Sequence, residues 1–131
     1  MRSLLARLGF RPRPLGERGE RFAARWLRRR GFRILQRNFH LGDDEADLLA
    51  IDPDGKTLVV IEVKTRAIDD VVPESAIDQR KQFRMARLAS RLIKMQKYSD
   101  RPVRFDAVAV VWPVRGKPEI RHSIAAFDSP F

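Results

Sequence analysis

The most constraining feature of the sequence is an apolar run that becomes charged in its second half, Leu58-Val59-Val60-Ile61-Glu62-Val63-Lys64-Thr65. Read as a β-strand, the run alternates its side chains between two faces. One face is core-like and consists of Thr57, Val59, Ile61, Val63 and Thr65. The other begins apolar and turns ionic halfway along: Leu58, Val60, Glu62, Lys64 and Arg66. Glu62 and Lys64 are therefore predicted to emerge side by side at the rim of a buried sheet.

That position restricts what the two charges can do. An unpaired carboxylate or ammonium group at the edge of a core costs several kcal/mol unless it is neutralised, paired or bound to a metal ion. Glu62 and Lys64 are therefore candidate functional residues, and their partners must come from elsewhere in the chain.

Composition limits the class of protein and the kind of site. A chain of 131 residues indicates one domain with a core around a single sheet. We place that domain at residues 16–131, after a basic, flexible N-terminal arm at residues 1–15. The absence of cysteine excludes disulfides and thiolate zinc sites, and the wide separation of His40 and His122 argues against zinc altogether. No apolar stretch approaches the roughly 18 residues of a membrane span, so we expect a cytoplasmic protein.

The excess positive charge is concentrated towards the N-terminus. Residues 1–39 contain 12 arginines against Glu17 and Glu20, a net charge of +10 that equals the formal charge of the whole chain. Such a patch is typical of proteins that bind a polyanion, usually nucleic acid. Two alternatives stay open here: contact with an anionic membrane surface, and a solvated arginine-rich helix that only keeps the protein soluble.

Periodicity and turn residues predict seven regular elements in the order αβββαββ. A helix over residues 16–30 ends at Gly31. Strands over 32–39, 45–51 and 57–66 follow, the last two joined by the turn sequence Asp52-Pro53-Asp54-Gly55. A long helix over 74–98, a buried strand over 103–112 and an edge strand over 119–124 complete the chain. We predict an α/β fold with a mixed central β-sheet and flanking helices.

The strand before the turn supplies two further acids. Its predicted faces are Glu45, Asp47, Leu49 and Ile51 on one side and Ala46, Leu48 and Ala50 on the other. In an antiparallel hairpin that pairs Leu49 with Val60, Asp47 would lie opposite Glu62, and Glu45 opposite Lys64. Three carboxylates and one lysine are thus expected to converge.

Two adjacent carboxylates repel each other, and a divalent cation would offset that repulsion while using both groups. Oxygen ligands without histidine or cysteine favour Mg²⁺ or Mn²⁺, with Asp47 and Glu62 as the predicted ligands. The alternative is a structural ionic cluster in which these two acids pair with Lys64 and Arg66.

Both helices carry features that bear on this site. The first places Gly16, Glu20, Ala23, Ala24 and Leu27 on one face, beside a stripe of Phe22 and Trp26. Glu20 would then reach the site from above the sheet, unless it only offsets the helix dipole. The second helix repeats basic residues at steps of three and four, Arg80, Arg84, Arg87, Arg91 and Lys94. Such a stripe could follow a phosphate backbone or be a solvated outer face.

A set of motifs carries a family resemblance. They are Gly16-Glu17-Arg18-Gly19-Glu20, Ala23-Ala24 with Leu27, Gly31-Phe32-Arg33-Ile34-Leu35-Gln36-Arg37-Asn38, Glu45-Ala46-Asp47-Leu48-Leu49-Ala50, Ile61-Glu62-Val63-Lys64-Thr65-Arg66, Lys81 and Arg104-Phe105-Asp106. In order and spacing these resemble the YraN-like family of bacterial proteins, over about residues 16–128. That family looks like a member of the PD-(D/E)xK nuclease superfamily, with a restriction-endonuclease-like fold akin to Holliday junction resolvases.

The resemblance implies roles for four positions. Asp47 would be the motif aspartate, Glu62 and Lys64 the ExK pair, and Glu20 a helix acid that assists metal or water binding. The family usually has Gly-Glu-Ile-Asp where this chain has Asp44-Glu45-Ala46-Asp47. We expect the missing glycine to alter the turn before the strand, and the smaller Ala46 to thin the packing behind it.

Three classes of function follow as hypotheses. The first is a Mg²⁺- or Mn²⁺-dependent endonuclease that acts on structured or branched DNA, with a homodimer for symmetric cutting of two strands. Its expected nucleic-acid contacts are Arg18, Arg25, Arg37, Arg66, Lys81 and Arg84. The second is a non-catalytic nucleic-acid-binding protein of the same fold, in DNA repair or RNA metabolism. The third is a module that binds an acidic protein through its arginines, independently of magnesium.

Overall fold

The computed structural model describes residues 15–67 and 77–131, and its elements follow the predicted order αβββαββ. They are α1 (Leu15–Arg29), β1 (Arg33–Leu41), β2 (Asp44–Ile51), β3 (Leu58–Ala67), α2 (Gln79–Leu92), a short 3₁₀ turn (Gln96–Tyr98), β4 (Val103–Trp112) and β5 (Glu119–Ser123). Each strand boundary lies within two residues of its predicted position. Residues 1–14, and with them nearly all of the predicted basic arm, lie outside the described residues.

The five strands form one mixed sheet in the order β1-β2-β3-β4-β5. The pairs β1–β2, β2–β3 and β4–β5 are antiparallel, whereas β3 and β4 are parallel and follow each other across α2. The parallel pair has the longest ladder, from Leu58 opposite Val103 to Ala67 opposite Trp112. This mixed α/β architecture confirms the predicted fold class and is consistent with a restriction-endonuclease-like fold.

The two faces of β3 belong to two separate cores, as the alternation of its residues predicted. Val59, Ile61 and Val63 pack in the cluster beneath α1, which also holds Ala23, Ala24 and Leu27. Leu58 and Val60 pack in the cluster beneath α2, together with Met85, Leu88 and Leu92. Because side chains alternate along the strand, Glu62 follows Val60 on the α2 side of the sheet.

The α1 helix meets the sheet through glycine, but through a different glycine from the one predicted. Gly16 is exposed, and a Cβ atom there would meet nothing within 4 Å, so its predicted place on the packed face is wrong. Gly19 is buried against Thr65 of β3, and a Cβ atom at Gly19 would lie 1.9 Å from the Thr65 hydroxyl oxygen. The helix ends as predicted at Gly31, whose φ of 94° lets the Phe32 N–H donate to the Leu27 carbonyl at 3.1 Å.

The α2 helix is shorter than predicted at both ends. It begins after Asp78, whose carboxylate accepts a hydrogen bond from the Lys81 N–H at 2.9 Å and so caps the first turn. It ends at Leu92, because Met95 turns extended, with ψ of 137°, before the 3₁₀ turn begins. The predicted residues 74–76 lie outside the described part. No helix in residues 15–67 and 77–131 is long and apolar enough to span a membrane.

A buried ion pair fixes α2 against the start of β2. The Asp44 side chain is only 1% exposed and accepts two hydrogen bonds from Arg87, at 2.8 and 2.6 Å. The hydrogen bonds from Arg87 overcome the effect of burial and lower the Asp44 pKa. Arg91 adds a contact of 3.8 Å to Asp44 and donates to the Leu41 carbonyl. All five members of the predicted basic stripe are exposed, and two of them, Arg87 and Arg91, also bind Asp44 and so connect α2 to β2.

We expect Gly19→Ala to destabilise the protein by about 1 to 3 kcal/mol, because the new methyl group would collide with Thr65 and push α1 off the sheet. Gly16→Ala is the matched control on the same helix, and it should be neutral or slightly stabilising, since alanine favours helix. Urea unfolding followed by circular dichroism measures both. Equal midpoints for Gly19→Ala and wild type would contradict the close contact.

We expect Arg87→Met to lower the free energy of unfolding, because it removes both hydrogen bonds to the buried Asp44 carboxylate and leaves Arg91, at 3.8 Å, as its nearest ion-pair partner among the described residues. Arg84→Met removes an exposed arginine from the same helix and should change stability by less than about 0.5 kcal/mol. Thermal and urea unfolding compare the two variants. Similar losses in both would show that Asp44 does not depend on Arg87.

Candidate active site: an acidic cluster where β2 and β3 separate

The predicted hairpin register is confirmed, but its ladder stops short of the acids. Leu49 lies opposite Val60, and the last paired residues are Leu48 and Ile61. Asp47 and Glu62 therefore do not face each other as a ladder pair, and neither do Glu45 and Lys64, so that part of the prediction is wrong. The two strands separate at the point where the charged residues begin.

Asp47 occupies the point of separation. Its Oδ2 accepts a hydrogen bond from the Val63 N–H at 2.7 Å, so a side chain replaces the next backbone partner of β3. The predicted alternation of β2 also fails here, because Ala46 packs in the α2 cluster with Leu49, whereas Leu48 packs in the α1 cluster. The register places Asn38 of β1 opposite Asp47, and Asn38 has a φ of 49°. This left-handed residue interrupts the regular pleat and accounts for the change of side.

Glu20 reaches Asp47 from α1, as the helix period predicted. The two side chains share a hydrogen bond. Burial, followed by the charge of Asp47, raises the pKa of Glu20 from 4.5 to about 7. Burial also raises the pKa of Asp47, although the Val63 N–H and the Lys81 charge oppose that effect. The shared hydrogen bond acts to raise the pKa of Glu20 and to lower that of Asp47, so Glu20 is the donor and the Asp47 carboxylate is the acceptor.

Glu62 lies on the other side of Asp47 and is coupled to it by charge. Burial, then the negative charge of Asp47, raises the Glu62 pKa, and the charges of Lys81 and Lys64 partly offset this. Lys81 Nζ lies 3.2 Å from Glu62 Oε2, close enough for an ion pair. Within residues 15–67 and 77–131, this buried oxygen has no polar partner besides Lys81. Lys81 also lies 3.8 Å from Glu45.

The structure brings the four predicted catalytic residues together. Lys81 joins them, although the sequence had predicted it to contact nucleic acid. The sequence offered a signal for this position, because Asp78 is the cap residue before α2 and Lys81 lies in the first turn, from which it reaches Glu62 of β3. Glu20 and Glu62 approach from opposite sides of the sheet, and Asp47 connects them across the gap between β2 and β3. We call Glu20, Asp47, Glu62, Lys64 and Lys81 the acidic cluster.

The acidic cluster offers carboxylate oxygens as possible ligands for a metal ion. Within residues 15–67 and 77–131, no three histidine, cysteine, aspartate or glutamate side chains lie close enough to hold an ion. Two carboxylates do adjoin, Asp47 and Glu62, and one of their buried oxygens has Lys81 as its single polar partner among the described residues. Oxygen donors of this kind are the ligands that a hard divalent cation prefers, and the positive charges of Lys81 and Lys64 already lower the Glu62 pKa there.

The remaining predicted nucleic-acid contacts divide between the two sides of the sheet. Arg25 and Arg37 line one small cavity beside α1. The Arg18 guanidinium lies 4.7 Å from the ring centre of Trp112. Arg84 is exposed on α2, and Arg66 is half-buried on β3. The six predicted contacts therefore lie on two basic surfaces, one on the α1 side of the sheet and one on the α2 side.

A second ionic cluster lies at the other end of the α1 core. Asp106 is fully buried and is bonded by Arg104 at 2.8 and 2.9 Å and by His122 Nε2 at 2.8 Å. Burial raises its pKa, but these hydrogen bonds outweigh burial, and the net shift is downward. Arg104 also pairs with Asp52 of the β2–β3 turn at 2.7 Å. This cluster joins β4, β5 and the turn, and it explains the Arg104-Phe105-Asp106 motif structurally.

A family model and several related proteins all assign this chain to the same family. The model of the uncharacterised protein family UPF0102 matches residues 19–110. A UPF0102 protein of Geotalea daltonii is 40% identical over 115 residues, which cover 87% of this chain and 89% of the relative. A UPF0102 protein of Prosthecochloris aestuarii is 40% identical over 101 residues, 76% of this chain and 78% of the relative. One of Beutenbergia cavernae is 39% identical over 109 residues, with 82% and 91% covered.

The raised pKa of Glu20 predicts a pH-dependent stability. Its folded pKa of about 7 exceeds its ordinary value of 4.5, so ionisation favours the unfolded chain, and stability falls as pH rises through this window. In metal-free buffer, we expect Glu20→Gln to exceed wild type in free energy of unfolding at pH 8 by roughly 1 kcal/mol, a value discounted for solvent screening. Below about pH 4 the two should agree. Urea unfolding across this pH range measures the difference, with Glu119→Gln on β5 as control. A constant offset at all pH values would contradict the shared proton.

Proposed function

The chain belongs to the uncharacterised protein family UPF0102, and we propose that it is a divalent-metal-dependent nuclease that hydrolyses phosphodiester bonds in structured or branched DNA. The proposal includes Mg²⁺ or Mn²⁺ as the cofactor, the cytoplasm as the compartment, and membership of the PD-(D/E)xK nuclease superfamily. Symmetric cutting of two strands would require two copies of the chain.

One observation carries this proposal: Asp47 is fixed by the Val63 N–H beside Glu62, whose buried Oε2 has Lys81 as its single polar partner among the described residues. Two carboxylates with raised pKa values are held together by backbone geometry at a cost in stability. Perturbed acids of this kind concentrate at functional sites. The net charge of +10 supplies the complementary attraction to a polyanion.

Asp47 and Glu62 would hold the ion, together with the Val63 carbonyl. A bound divalent cation activates a water molecule and stabilises the charge that develops on a phosphate group. The chain's own contribution is to hold Asp47 in place, since the Val63 N–H donates a hydrogen bond to it, and the hydrogen bonds from Val63 and Glu20 partly offset the rise that burial causes in its pKa. Glu20 holds a proton near neutral pH and can exchange it with water on the α1 side of the sheet.

The two lysines contribute positive charge on the α2 side. Lys64 follows Glu62 by two residues on the same face of β3, and its charge lowers the Glu62 pKa. We assign Lys64 to orienting the attacking water or offsetting charge on the phosphate. Lys81 lies against Glu62 and would have to move aside, or share this carboxylate, when a cation binds.

The position of Lys81 is also the observation that favours a second candidate function. Its ammonium group already neutralises Glu62 at 3.2 Å, as expected in a protein of this fold that binds nucleic acid without cutting it. The two candidates differ in their dependence on metal. A nuclease needs Mg²⁺ or Mn²⁺ for turnover, whereas simple binding through arginines depends on salt.

We expect the wild-type protein to cut branched DNA in Mg²⁺ or Mn²⁺ and not in EDTA, with single-stranded DNA, duplex DNA and RNA compared in the same assay. Asp47→Asn keeps an oxygen for the Val63 N–H but weakens metal binding, so the rate should fall about 100-fold or more. Lys64→Ala should also lose most of the activity.

The matched control for Asp47→Asn is Asp43→Asn, which removes an exposed carboxylate from the turn before β2 and should leave the rate unchanged. Melting temperatures of all three variants separate loss of fold from loss of chemistry. Absence of cutting by wild type on every substrate, or equal cutting by Asp47→Asn, would overturn the catalytic proposal in favour of binding alone.

A further inference from the structure

A small cavity beside α1 is lined almost entirely by arginines. Its volume is about 140 Å³, and its walls are Arg21, Arg25, Arg28 and Arg37, with Ala24 between them. We call these four arginines the arginine pocket. Sites for drug-sized ligands usually measure about 300 to 1,000 Å³, so this cavity is too small for a nucleoside. Its size and charge suit one tetrahedral anion.

The sequence builds the arginine pocket from two elements. Arg21, Arg25 and Arg28 are spaced by four and three residues, which places them on one face of α1. Ala24 lies between them and is buried, and its short side chain leaves room above it. Arg37 comes from β1, where it lies opposite Leu48 in the β1–β2 ladder.

The positive charge in the arginine pocket is poorly compensated. Among the described residues, the buried Arg21 Nε–H has no hydrogen-bond acceptor, and it lies 3.9 Å from a carboxylate oxygen of Glu17. Arg25 and Arg28 make no ion pair or hydrogen bond within residues 15–67 and 77–131. Guanidinium groups crowded in this way repel each other, and a phosphate that accepts paired hydrogen bonds from them would relieve the repulsion.

The arginine pocket adjoins the acidic cluster. Because Arg37 lies opposite Leu48, it is one residue along the ladder from Asp47. The positive charge of Arg37 also acts on Glu20, which bonds Asp47. A nucleic-acid strand that entered the gap between β2 and β3 would therefore pass the arginine pocket on the α1 side.

We propose that the arginine pocket binds one backbone phosphate of a nucleic-acid strand, next to the phosphodiester that faces Asp47 and Glu62. The placement beside a reacting phosphodiester rests on the proposed nuclease function, whereas the phosphate binding itself does not require cutting. Arginine forks of this kind fix the position of a strand without reading its bases.

The test measures binding of labelled branched DNA by fluorescence anisotropy, in EDTA and over a series of KCl concentrations. Arg25→Gln with Arg28→Gln should weaken binding about tenfold or more and reduce the slope of log affinity against log salt by about one. The control is Arg29→Gln with Arg115→Gln, which removes the same charge from exposed positions outside the pocket and should weaken binding by about twofold or less.

The position is tested by placing one methylphosphonate, a neutral phosphate substitute, at successive points of the strand. At one point the substitute should weaken DNA binding by the wild-type protein but not by the Arg25→Gln, Arg28→Gln variant. That point should lie one or two phosphates from the bond that is cut. Equal losses of DNA affinity in the pocket variant and the control variant would contradict phosphate binding by the arginine pocket, even if the protein cuts DNA. A pocket-specific loss without any cutting in Mg²⁺ or Mn²⁺ would support the pocket and overturn the nuclease.

Discussion

The hydrogen bond from the Val63 N–H to Asp47 is the interaction on which the candidate site depends. Strands β2 and β3 are paired by backbone hydrogen bonds only as far as Leu48 and Ile61. A ladder that continued would pair Asp47 with Glu62 and close the gap between the strands. The Val63 N–H donates to the Asp47 carboxylate instead of to a backbone carbonyl of β2. The strands therefore stay apart, and the buried N–H group still has an acceptor. The same bond holds Asp47 between Glu20 and Glu62.

Fixing three acids in this way opposes stability, since burial raises all three pKa values and the charge of Asp47 raises those of Glu20 and Glu62 further. The rest of the fold supplies the support that such a site needs. A ten-pair parallel ladder holds β3 against β4, and the Asp44–Arg87 pair fixes α2 so that Lys81 can reach Glu62. On the other side, the contact of Gly19 with Thr65 sets the height of α1, and with it the reach of Glu20. Function and fold therefore share these contacts.

Strand alternation, turn residues and helix-end signals in the sequence correctly predicted the features that depend on neighbouring residues. The alternation in β3, the Asp52-Pro53-Asp54-Gly55 turn and the end of α1 at Gly31 each follow from neighbouring residues, and the turn then set the hairpin register correctly. Partners chosen by tertiary packing were missed. Asp44 and Arg87 are 43 residues apart, and no periodicity marks their pairing. The change of side at Asp47 depends on the left-handed Asn38 of a different strand, which strict alternation along β2 could not anticipate.

The left-handed Asn38 has a consequence for how two copies of the chain could meet. It lies in β1, an outer strand of the sheet, where unpaired backbone groups would otherwise be open to a strand from another molecule. A kinked backbone, flanked by Arg37 and by the half-buried Phe39, is a poor template for such pairing. The opposite outer strand, β5, has only five residues. Within the described residues, both margins of the sheet thus disfavour edge-to-edge pairing with a second molecule.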